Sequence, residues 1–343
     1  MNSEIIMNRY AVVLWACLLG ILIGLVPLQA SAAKSDYQGP PKMNIPKDNV
    51  VTPDRVALGK ALFFDPRLSG SNWISCGTCH NPALGWSDGL PTAIGEGQKI
   101  LGRATPTVLN TAYNKKQMWD GRAKTLEHQA TGPIQAGVEM NQSMPELIAE
   151  LSEYKGYRDL FEKAYPGEGI NEKTIAKAIA AFERTIVTKD SPFDRWVRGD
   201  ENAISKSAKR GFEIFDNKDR ANCVACHQGY NFNDDGFHNI GLSNTDDLGR
   251  YNIVKVEVLK GAFKTPTLRD ITLTAPYMHN GAYNTLEEVV EHYNKGGVVK
   301  ENLDPNMKTL KLSKQDKKDL VEFLKTLTGD PVELTFPILP ANF

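Results

Sequence analysis

The sequence predicts a mostly α-helical protein that folds as two domains with long loops. Capping patterns precede apolar residues at helical spacing in five places: Thr52-Pro53, Ser143 with Glu146, Asn171, Thr285 with Glu288, and Ser313 with Asp316. Loops rich in Gly, Pro and Asn separate the helices, notably residues 81–103 and 228–250. Without an N-terminal export segment, roughly 310 residues remain, enough for two domains that each have a core.

Two Cys-x-x-Cys-His motifs determine the chemistry that we expect. They begin at Cys76 and Cys223, 147 residues apart, a spacing that suits one motif per domain. The motif is the attachment signature of c-type haem, in which two thiols bond the porphyrin and the following His is the proximal iron ligand. A zinc site or a redox dithiol would not explain the His in both copies. We therefore predict two cytochrome c-like domains, with covalent haem on the thiols Cys76, Cys79, Cys223 and Cys226 and with proximal ligands His80 and His227.

The N-terminus is typical of a secretory signal peptide. Arg9 precedes an apolar run over residues 11–28, and Ala30-Ser31-Ala32 resembles a cleavage site. An uncleaved membrane anchor is the alternative interpretation, and Trp15 makes a lipobox ending at Cys17 a poor one. We expect residues 1–33 to be removed and the mature protein to act in the periplasm, in agreement with the export that c-type haem attachment usually requires.

The predicted domains span residues 34–195 and 196–343, joined by a linker over residues 189–199, where Pro and polar residues interrupt the helical pattern. Lys and Arg number 40 against 41 Asp and Glu, so the composition points neither to nucleic acid nor to an anionic surface as partner.

The sixth coordination position distinguishes an electron carrier from an enzyme, because only an open haem can bind an oxidant. Apart from the two proximal ligands, the first predicted domain contains only His128, in a polar helical stretch where a solvated side chain is expected. The first haem should therefore be open or weakly ligated. For the second haem, Met278 and Tyr293 are both candidate ligands, with the neighbouring His292 a weaker one; a core Tyr is the alternative role of Tyr293.

Beyond these motifs, the chain resembles the bacterial di-haem cytochrome c peroxidases and their MauG-type relatives. The resemblance spans nearly the whole mature chain, and its most specific part is the segment Gly132-Pro133-Ile134-Gln135-Ala136-Gly137-Val138-Glu139-Met140. It implies that the N-terminal haem is the low-potential peroxidatic site and the C-terminal haem the high-potential entry point for electrons. By motif, Glu139 corresponds to the distal catalytic carboxylate, Gln129 to the amide beside it and Trp119 to the aromatic residue between the haems.

Two departures from the peroxidase pattern affect what the resemblance implies. Many members carry a His that blocks the peroxidatic iron, but the corresponding loop here reads Ile94-Gly95-Glu96-Gly97. Glu96 is therefore an expected neighbour of an open site that needs no reductive activation. The usual axial Met of the second haem corresponds to Tyr293, as in MauG-type proteins, which store two oxidising equivalents across both haems and modify a protein substrate. The alignment favours Tyr293 over Met278, and a phenolate would lower the potential of this haem.

The resemblance further implies hydrogen peroxide as substrate and a small cytochrome c or cupredoxin as electron donor. The alternatives are oxidation of a partner protein through a high-valent iron intermediate and a non-catalytic electron carrier. Family members are often homodimers and hold calcium between their domains, but the residue that is commonly Asn corresponds to Ala104 here, which leaves backbone oxygens around Thr265-Pro266 as ligands. Arg250 and His279 resemble positions near the propionates of the second haem.

Overall fold

The computed structural model describes residues 34–243 and 246–341, and residues 32–343 form one compact unit. The predicted signal peptide lies outside the described residues. Within the described ranges, no helix has both the length and the apolar character needed to span a bilayer.

The fold is mostly α-helical, as predicted, with one two-stranded sheet among the described residues. The helices are α1 (Pro53–Phe63), α2 (Cys76–Cys79), α3 (Leu126–Gln135), α4 (Met144–Glu153), α5 (Lys155–Ala164), α6 (Glu172–Glu183), α7 (Pro192–Val197), α8 (Lys206–Asp216), α9 (Tyr251–Val254), α10 (Leu286–Asn294) and α11 (Lys314–Lys325). Strands β1 (Phe237–His238) and β2 (Phe263–Lys264) are antiparallel, with Phe237 opposite Lys264. Short 3-10 turns occur at Lys34–Tyr37, Pro66–Leu68, Pro82–Leu84, Glu96–Gln98, Thr111–Tyr113, Cys223–Ala225, Glu257–Leu259 and Ile271–Leu273.

The first hydrophobic core is built around helices α1 and α6, against which α3 and α5 pack. The two central helices approach closely at Gly59, where a Cβ atom would lie 1.9 Å from the carbonyl oxygen of Ala178. Only glycine fits there without moving the backbone of α6. Thr52 caps α1 with its hydroxyl, and Asn171 caps α6 through a capping box with Thr174.

The second core repeats this arrangement with helices α8 and α11, and α10 packs on α11. Gly211 is the site of closest approach, since its Cβ would lie 2.0 Å from the carbonyl oxygen of Asp319. The predicted capping boxes of Thr285 with Glu288 and of Ser313 with Asp316 are confirmed. Tyr37, near the start of the described chain, is fully buried in this core.

Two local predictions were wrong. Ser143 precedes α4, but its side chain makes no capping hydrogen bond; instead its N–H donates to the side chain of Gln142 at 2.8 Å. The segment 189–199 is not an irregular linker, because Ser191 and Asp194 form a capping box that starts α7. Phe193 and Trp196 of this helix are buried in the second core. The packing of these apolar side chains, together with the capping box, favours a helix over a loop in this segment.

The C-terminal segment that follows α11 lies against the first core. Lys60 donates to the carbonyl oxygen of Thr335 at 3.1 Å, and Arg67 donates to that of Pro340 at 2.9 Å. The ring of Phe336 packs edge-on against Phe64, with centroids 5.1 Å apart. The end of the chain therefore ties the second core to the first.

The structure contains an internal repeat with an offset of 160 residues. Residues 106–126 and 266–286 share three features. Each has a 3-10 turn, at Thr111–Tyr113 and at Ile271–Leu273, and an isolated antiparallel β-bridge, between Gln117 and Ala123 and between Tyr277 and Tyr283. Each ends at the start of a helix, α3 in the first segment and α10 in the second. Met118 and Met278 both have positive φ, 71° and 76°, and a positive-φ Gly follows each three residues later. The repeat makes Trp119 the counterpart of His279, and Ala104 that of Lys264.

Candidate active site

The first cavity has a volume of about 510 Å³ and is lined by Cys76, Cys79 and His80. Ser75 begins the short helix α2, which carries both thiols, and His80 ends it. His80 Nδ1 is 3.2 Å from the carbonyl oxygen of Trp86. Nδ1 can therefore donate to that oxygen, which leaves Nε2 available to bind a metal.

Glu139 and Gln129 line the same cavity, as does Arg122. Burial raises the pKa of the Glu139 carboxyl, and the nearby guanidinium of Arg122 opposes this shift. Asp120 holds Arg122 through an ion pair of 3.0 Å. A carboxyl group of raised pKa that faces a cavity can exchange a proton with a bound molecule.

The loop over residues 94–97 supports Glu139 through the backbone rather than through the side chain of Glu96. The Glu96 N–H donates to the carbonyl oxygen of Glu139 at 2.7 Å, and a Cβ on Gly95 would lie 2.0 Å from the carbonyl oxygen of Val138. The Glu96 carboxylate accepts a hydrogen bond from Ser71 at 2.7 Å and is not among the residues that line the cavity. His128 is exposed, as expected.

The second cavity has a volume of about 190 Å³, and its lining includes Cys223, Cys226 and His227. His227 Nδ1 lies 2.9 Å from the carbonyl oxygen of Phe232, which again leaves Nε2 available to bind a metal. Burial lowers the pKa of His227 to about 4, which favours the neutral imidazole that binds iron.

Both candidate sixth ligands, Tyr293 and Met278, line this second cavity. Burial raises the pKa of the Tyr293 phenol, so in the absence of a metal the protonated form is favoured. The neighbouring His292 is buried, and both of its ring nitrogens have partners: Tyr283 at 2.9 Å and the carbonyl oxygen of Ile240 at 2.9 Å. Both ring nitrogens of His292 therefore bind groups within the protein, where they hold α10 in place, and His292 is not a ligand.

Trp119 lies between the two cavities and lines both of them. Its indole N–H donates to the carbonyl oxygen of Ala104 at 2.9 Å. Its ring meets that of His279 edge-on, with centroids 6.3 Å apart. The backbone bonds around this pair are reciprocal: the Ala104 N–H donates to His279 at 2.8 Å and the Lys264 N–H donates to Trp119 at 2.7 Å.

His279 and Lys264 also line the second cavity, and motif reasoning had not brought the two together. The ring of His279 stacks on Phe263 at 3.5 Å, and its Nε2 is buried without a hydrogen-bond partner. The repeat is visible in the sequence as Met-Trp-Asp-Gly at 118–121 and Met-His-Asn-Gly at 278–281. An alignment of the chain with itself would have found this pairing.

Charged groups beside these rings link Asp120 and Gly121 of the first repeat to the segment 247–250. Arg103 forms ion pairs with Asp120 at 2.7 Å and with Asp247 at 2.6 Å. Arg250 donates to the carbonyl oxygens of Asp120 and Gly121, both at 2.9 Å. Arg250 thus binds backbone of the first repeat and is not among the residues that line the second cavity.

The two cavities fit c-type haem. All four described cysteines are free, and each pair of thiols lines a cavity together with the His that follows it. Two backbone oxygens near the expected calcium position have hydrogen-bond partners. The carbonyl of Ala104 accepts the Trp119 indole N–H, and the carbonyl of Thr265 accepts from the ammonium group of Lys264 at 3.1 Å.

Comparison with known proteins agrees with this geometry. The profile of the family described as "Di-haem cytochrome c peroxidase" matches residues 53–202, and the "Cytochrome c" profile matches residues 208–328. The chain is 48% identical over 313 residues to "Methylamine utilization protein MauG" of Methylorubrum extorquens, covering 90% of this chain and 88% of that protein. The chain belongs to the di-haem cytochrome c peroxidase and MauG family.

Other members of this family are also similar along most of their length. "Cytochrome c551 peroxidase" of Pseudomonas aeruginosa is 38% identical over 296 residues, covering 83% of this chain and 82% of that protein. The crystal structure of "a MauG-like protein associated with microbial copper homeostasis" superposes with a TM-score of 0.80 at 31% identity, covering 85% of this chain and 94% of that one. Membership implies two haem c groups and an oxidoreductase that acts on peroxide.

Proposed function

We propose that the protein reduces hydrogen peroxide to water at a haem in the first cavity. The electrons come from a small periplasmic redox protein, a cytochrome c or a cupredoxin, and enter through a haem in the second cavity. Two electrons and two protons convert one peroxide into two waters. The observation that carries this proposal is Glu139, a carboxyl group of raised pKa that faces the cavity of Cys76, Cys79 and His80.

Haem supplies the redox chemistry of O–O bond cleavage when it is bound. The protein then has to move one proton between the two peroxide oxygens, because the oxygen that leaves must depart as water. In this proposal a Glu139 carboxylate oxygen takes that proton from one peroxide oxygen and returns it to the other. The Gln129 amide, on the same cavity wall, orients the peroxide by hydrogen bonding.

We further propose that Cys76, Cys79, Cys223 and Cys226 bind the haems, that His80 and His227 are the proximal ligands and that Tyr293 is the sixth ligand of the second haem. With both His227 and Tyr293 as ligands, a second haem would supply electron transfer, whereas a first haem held by His80 alone would leave a position for peroxide. Trp119, which lines both cavities, provides the path between them. Attachment of c-type haem usually requires export, which supports a periplasmic location after cleavage of residues 1–33.

A second function is favoured by a specific observation, the presence of Tyr293 on the second cavity. A phenolate ligand stabilises ferric iron, so the second haem would accept electrons from a small cytochrome less readily. Oxidation of a partner protein would then replace rapid peroxide turnover. The 48% identity to a protein named MauG agrees with this alternative.

The experiment that tests the proposal is a steady-state assay of the holoprotein with peroxide and a reduced small cytochrome c or cupredoxin. The expected result is oxidation of the donor in a 2:1 ratio to peroxide consumed, starting from the fully oxidised protein. Negligible donor turnover, with oxidising equivalents that persist for minutes after peroxide addition, would instead support oxidation of a partner protein. Absence of any reaction with peroxide would overturn both functions.

A further inference from the structure

Lys264 is a buried lysine on the wall of the second cavity, and its side chain lacks a counter-charge. The residue is only 8% exposed, and its ammonium group has one hydrogen bond, to the carbonyl oxygen of Thr265 at 3.1 Å. Among the described residues it forms no ion pair. Burial lowers the pKa of Lys264 to about 8, even though Asp234 and Asp235 act in the opposite direction from a distance.

The two carboxylates whose charge acts on Lys264 have other partners. Asp234 accepts hydrogen bonds from Thr265 at 2.8 Å and is paired with His238 at 2.9 Å. Asp235 accepts from the backbone N–H of Lys115 at 2.9 Å and lies 3.6 Å from its ammonium group. A buried ammonium with a single neutral acceptor is costly, so the site requires an anion that the described protein residues do not supply.

A second buried polar atom lines the same cavity. Nε2 of His279 has no hydrogen-bond partner, and the residue is 5% exposed with its ring stacked on Phe263. Phe263 and Lys264 form strand β2, and His279 lies beside Trp119. An ammonium with a single neutral acceptor and a ring nitrogen without a partner lie on this side of the cavity. They indicate where the acidic edge of a bound haem would lie, because each haem carries two propionate groups.

The internal repeat shows that the positive charge of Lys264 has no equivalent at the corresponding position of the first repeat. The counterpart of Lys264 is Ala104, which also lies close to Trp119 but carries no charge. The neighbouring Arg103 lines the first cavity but is neutralised by Asp120 and Asp247. At this position of the repeat, the second cavity therefore carries a cation and the first does not.

We propose that Lys264 binds a propionate of the second haem and that its charge raises the reduction potential of that haem above that of the first. The inference rests on the proposed presence of haem in the second cavity. A positive charge near iron favours the reduced state, which has one positive charge fewer. Lys264 would thus contribute to the inequality between the two haems, opposing the effect of a phenolate ligand.

The test is the midpoint potential of each haem in the holoprotein, measured by spectroelectrochemistry for wild type, Lys264→Met and Lys264→Arg. In Lys264→Met we expect the oxidation equilibrium of the second haem to shift about tenfold toward ferric, which is about 59 mV for a one-electron couple. The first haem should keep its potential. Lys264→Arg should remain close to wild type because it retains the charge. The matched control is Lys260→Met, an exposed lysine of the same segment that pairs with Glu257.

Unchanged potentials in Lys264→Met with a full haem content would overturn the role of Lys264 and leave the proposed function intact. A wild-type protein without covalent haem at Cys223 and Cys226, seen by mass spectrometry, would overturn the proposed function instead. If Lys264→Met does not accumulate, resonance Raman spectra of Lys264→Arg decide the question. A shifted propionate bending band of the second haem supports the contact, and an unchanged band contradicts it.

Discussion

Glu139 is the residue on which the proposed peroxide chemistry depends. Its substitution by Gln preserves the shape of the side chain and removes the proton exchange. We expect Glu139→Gln to lower peroxide turnover by about 10²–10⁴-fold, the range that general acid–base catalysis typically contributes. Haem content and both midpoint potentials should remain unchanged. The measurement is steady-state donor oxidation, with Glu96→Gln as the control, because the Glu96 carboxylate binds Ser71 outside the cavity. Full activity of Glu139→Gln would remove it from the mechanism.

Glu183 is a second buried carboxyl group of the first cavity, and it makes stability depend on pH. Burial raises its pKa to about 8, Arg184 opposes this shift, Glu127 adds to it, and Oε2 has no hydrogen-bond partner. The unfolded chain releases this proton near pH ~4.3. Between these two pH values the folded state binds the extra proton, so the free energy of unfolding decreases as pH rises and levels off above pH 8.

The Glu183→Gln variant removes this dependence, because Gln cannot ionise. Its stability relative to wild type should therefore increase from pH 5 to pH 8, by on the order of 2–4 kcal/mol. Guanidinium unfolding of the holoprotein at several pH values measures the difference. Glu172→Gln at the exposed start of the same helix is the control and should show no such trend. A constant difference between Glu183→Gln and wild type across this range would mean that Glu183 titrates normally.

Ligation by Tyr293 and ligation by Met278 predict different properties of the second haem. Phenolate ligation predicts that Tyr293→Phe changes the absorption and electron paramagnetic resonance spectra of one haem and raises its potential. Met278→Leu should then leave the coordination unchanged. The reverse outcome would assign Met278 as the ligand. The family resemblance favours Tyr293, but residue spacing alone could not choose between them, because they lie on different elements, a loop with positive φ and helix α10, which the fold brings to one cavity.

The contacts between α1 and α6 and between α8 and α11 depend on glycine at two equivalent positions, Gly59 and Gly211. Gly59→Ala should destabilise the protein by roughly 1–3 kcal/mol or more, since the new Cβ would lie 1.9 Å from the backbone oxygen of Ala178. The gain of about 1 kcal/mol in helix propensity does not offset a clash with backbone. Thermal unfolding measures the loss. Gly102→Ala is the control, because no atom lies within 4 Å of its added Cβ. Equal stability of both variants would show that α1 and α6 can separate at little cost.

Helix starts were predictable from the sequence to the extent that capping is local. Thr285 and Ser313 begin their helices as expected, because each reaches the N–H three residues later. Ser143 shows the limit of this reasoning, since its helix forms without the predicted bond. Helix α7 shows another limit, because Pro192 was interpreted as a break although it occupies the first helical position, where proline is favoured.

The internal repeat brings the two cavities together around one pair of rings, those of Trp119 and His279. The haem motifs predicted one cavity per domain, but they contain no information about how the cavities face each other. That arrangement comes from backbone contacts between the two halves of the repeat, in which the Ala104 N–H donates to the carbonyl oxygen of His279 and the Lys264 N–H donates to that of Trp119. Two equivalent positions carry different residues, Trp119 against His279 and Ala104 against Lys264, and the cavities become chemically unequal there.

Trp119 is the residue through which we expect electrons to pass between the cavities. Trp119→Phe keeps an aromatic ring but loses the indole N–H that bonds Ala104 at 2.9 Å, and the smaller ring leaves a gap between the cavities. Electron exchange between the haems should slow, while both midpoint potentials and haem content remain unchanged. Rapid reduction of the second haem by the donor, followed spectroscopically at the first, measures the rate. Trp73→Phe is the matched control, since Trp73 is 85% exposed. If the exchange rates of Trp119→Phe and Trp73→Phe both equal that of wild type, electrons pass by a route that avoids Trp119.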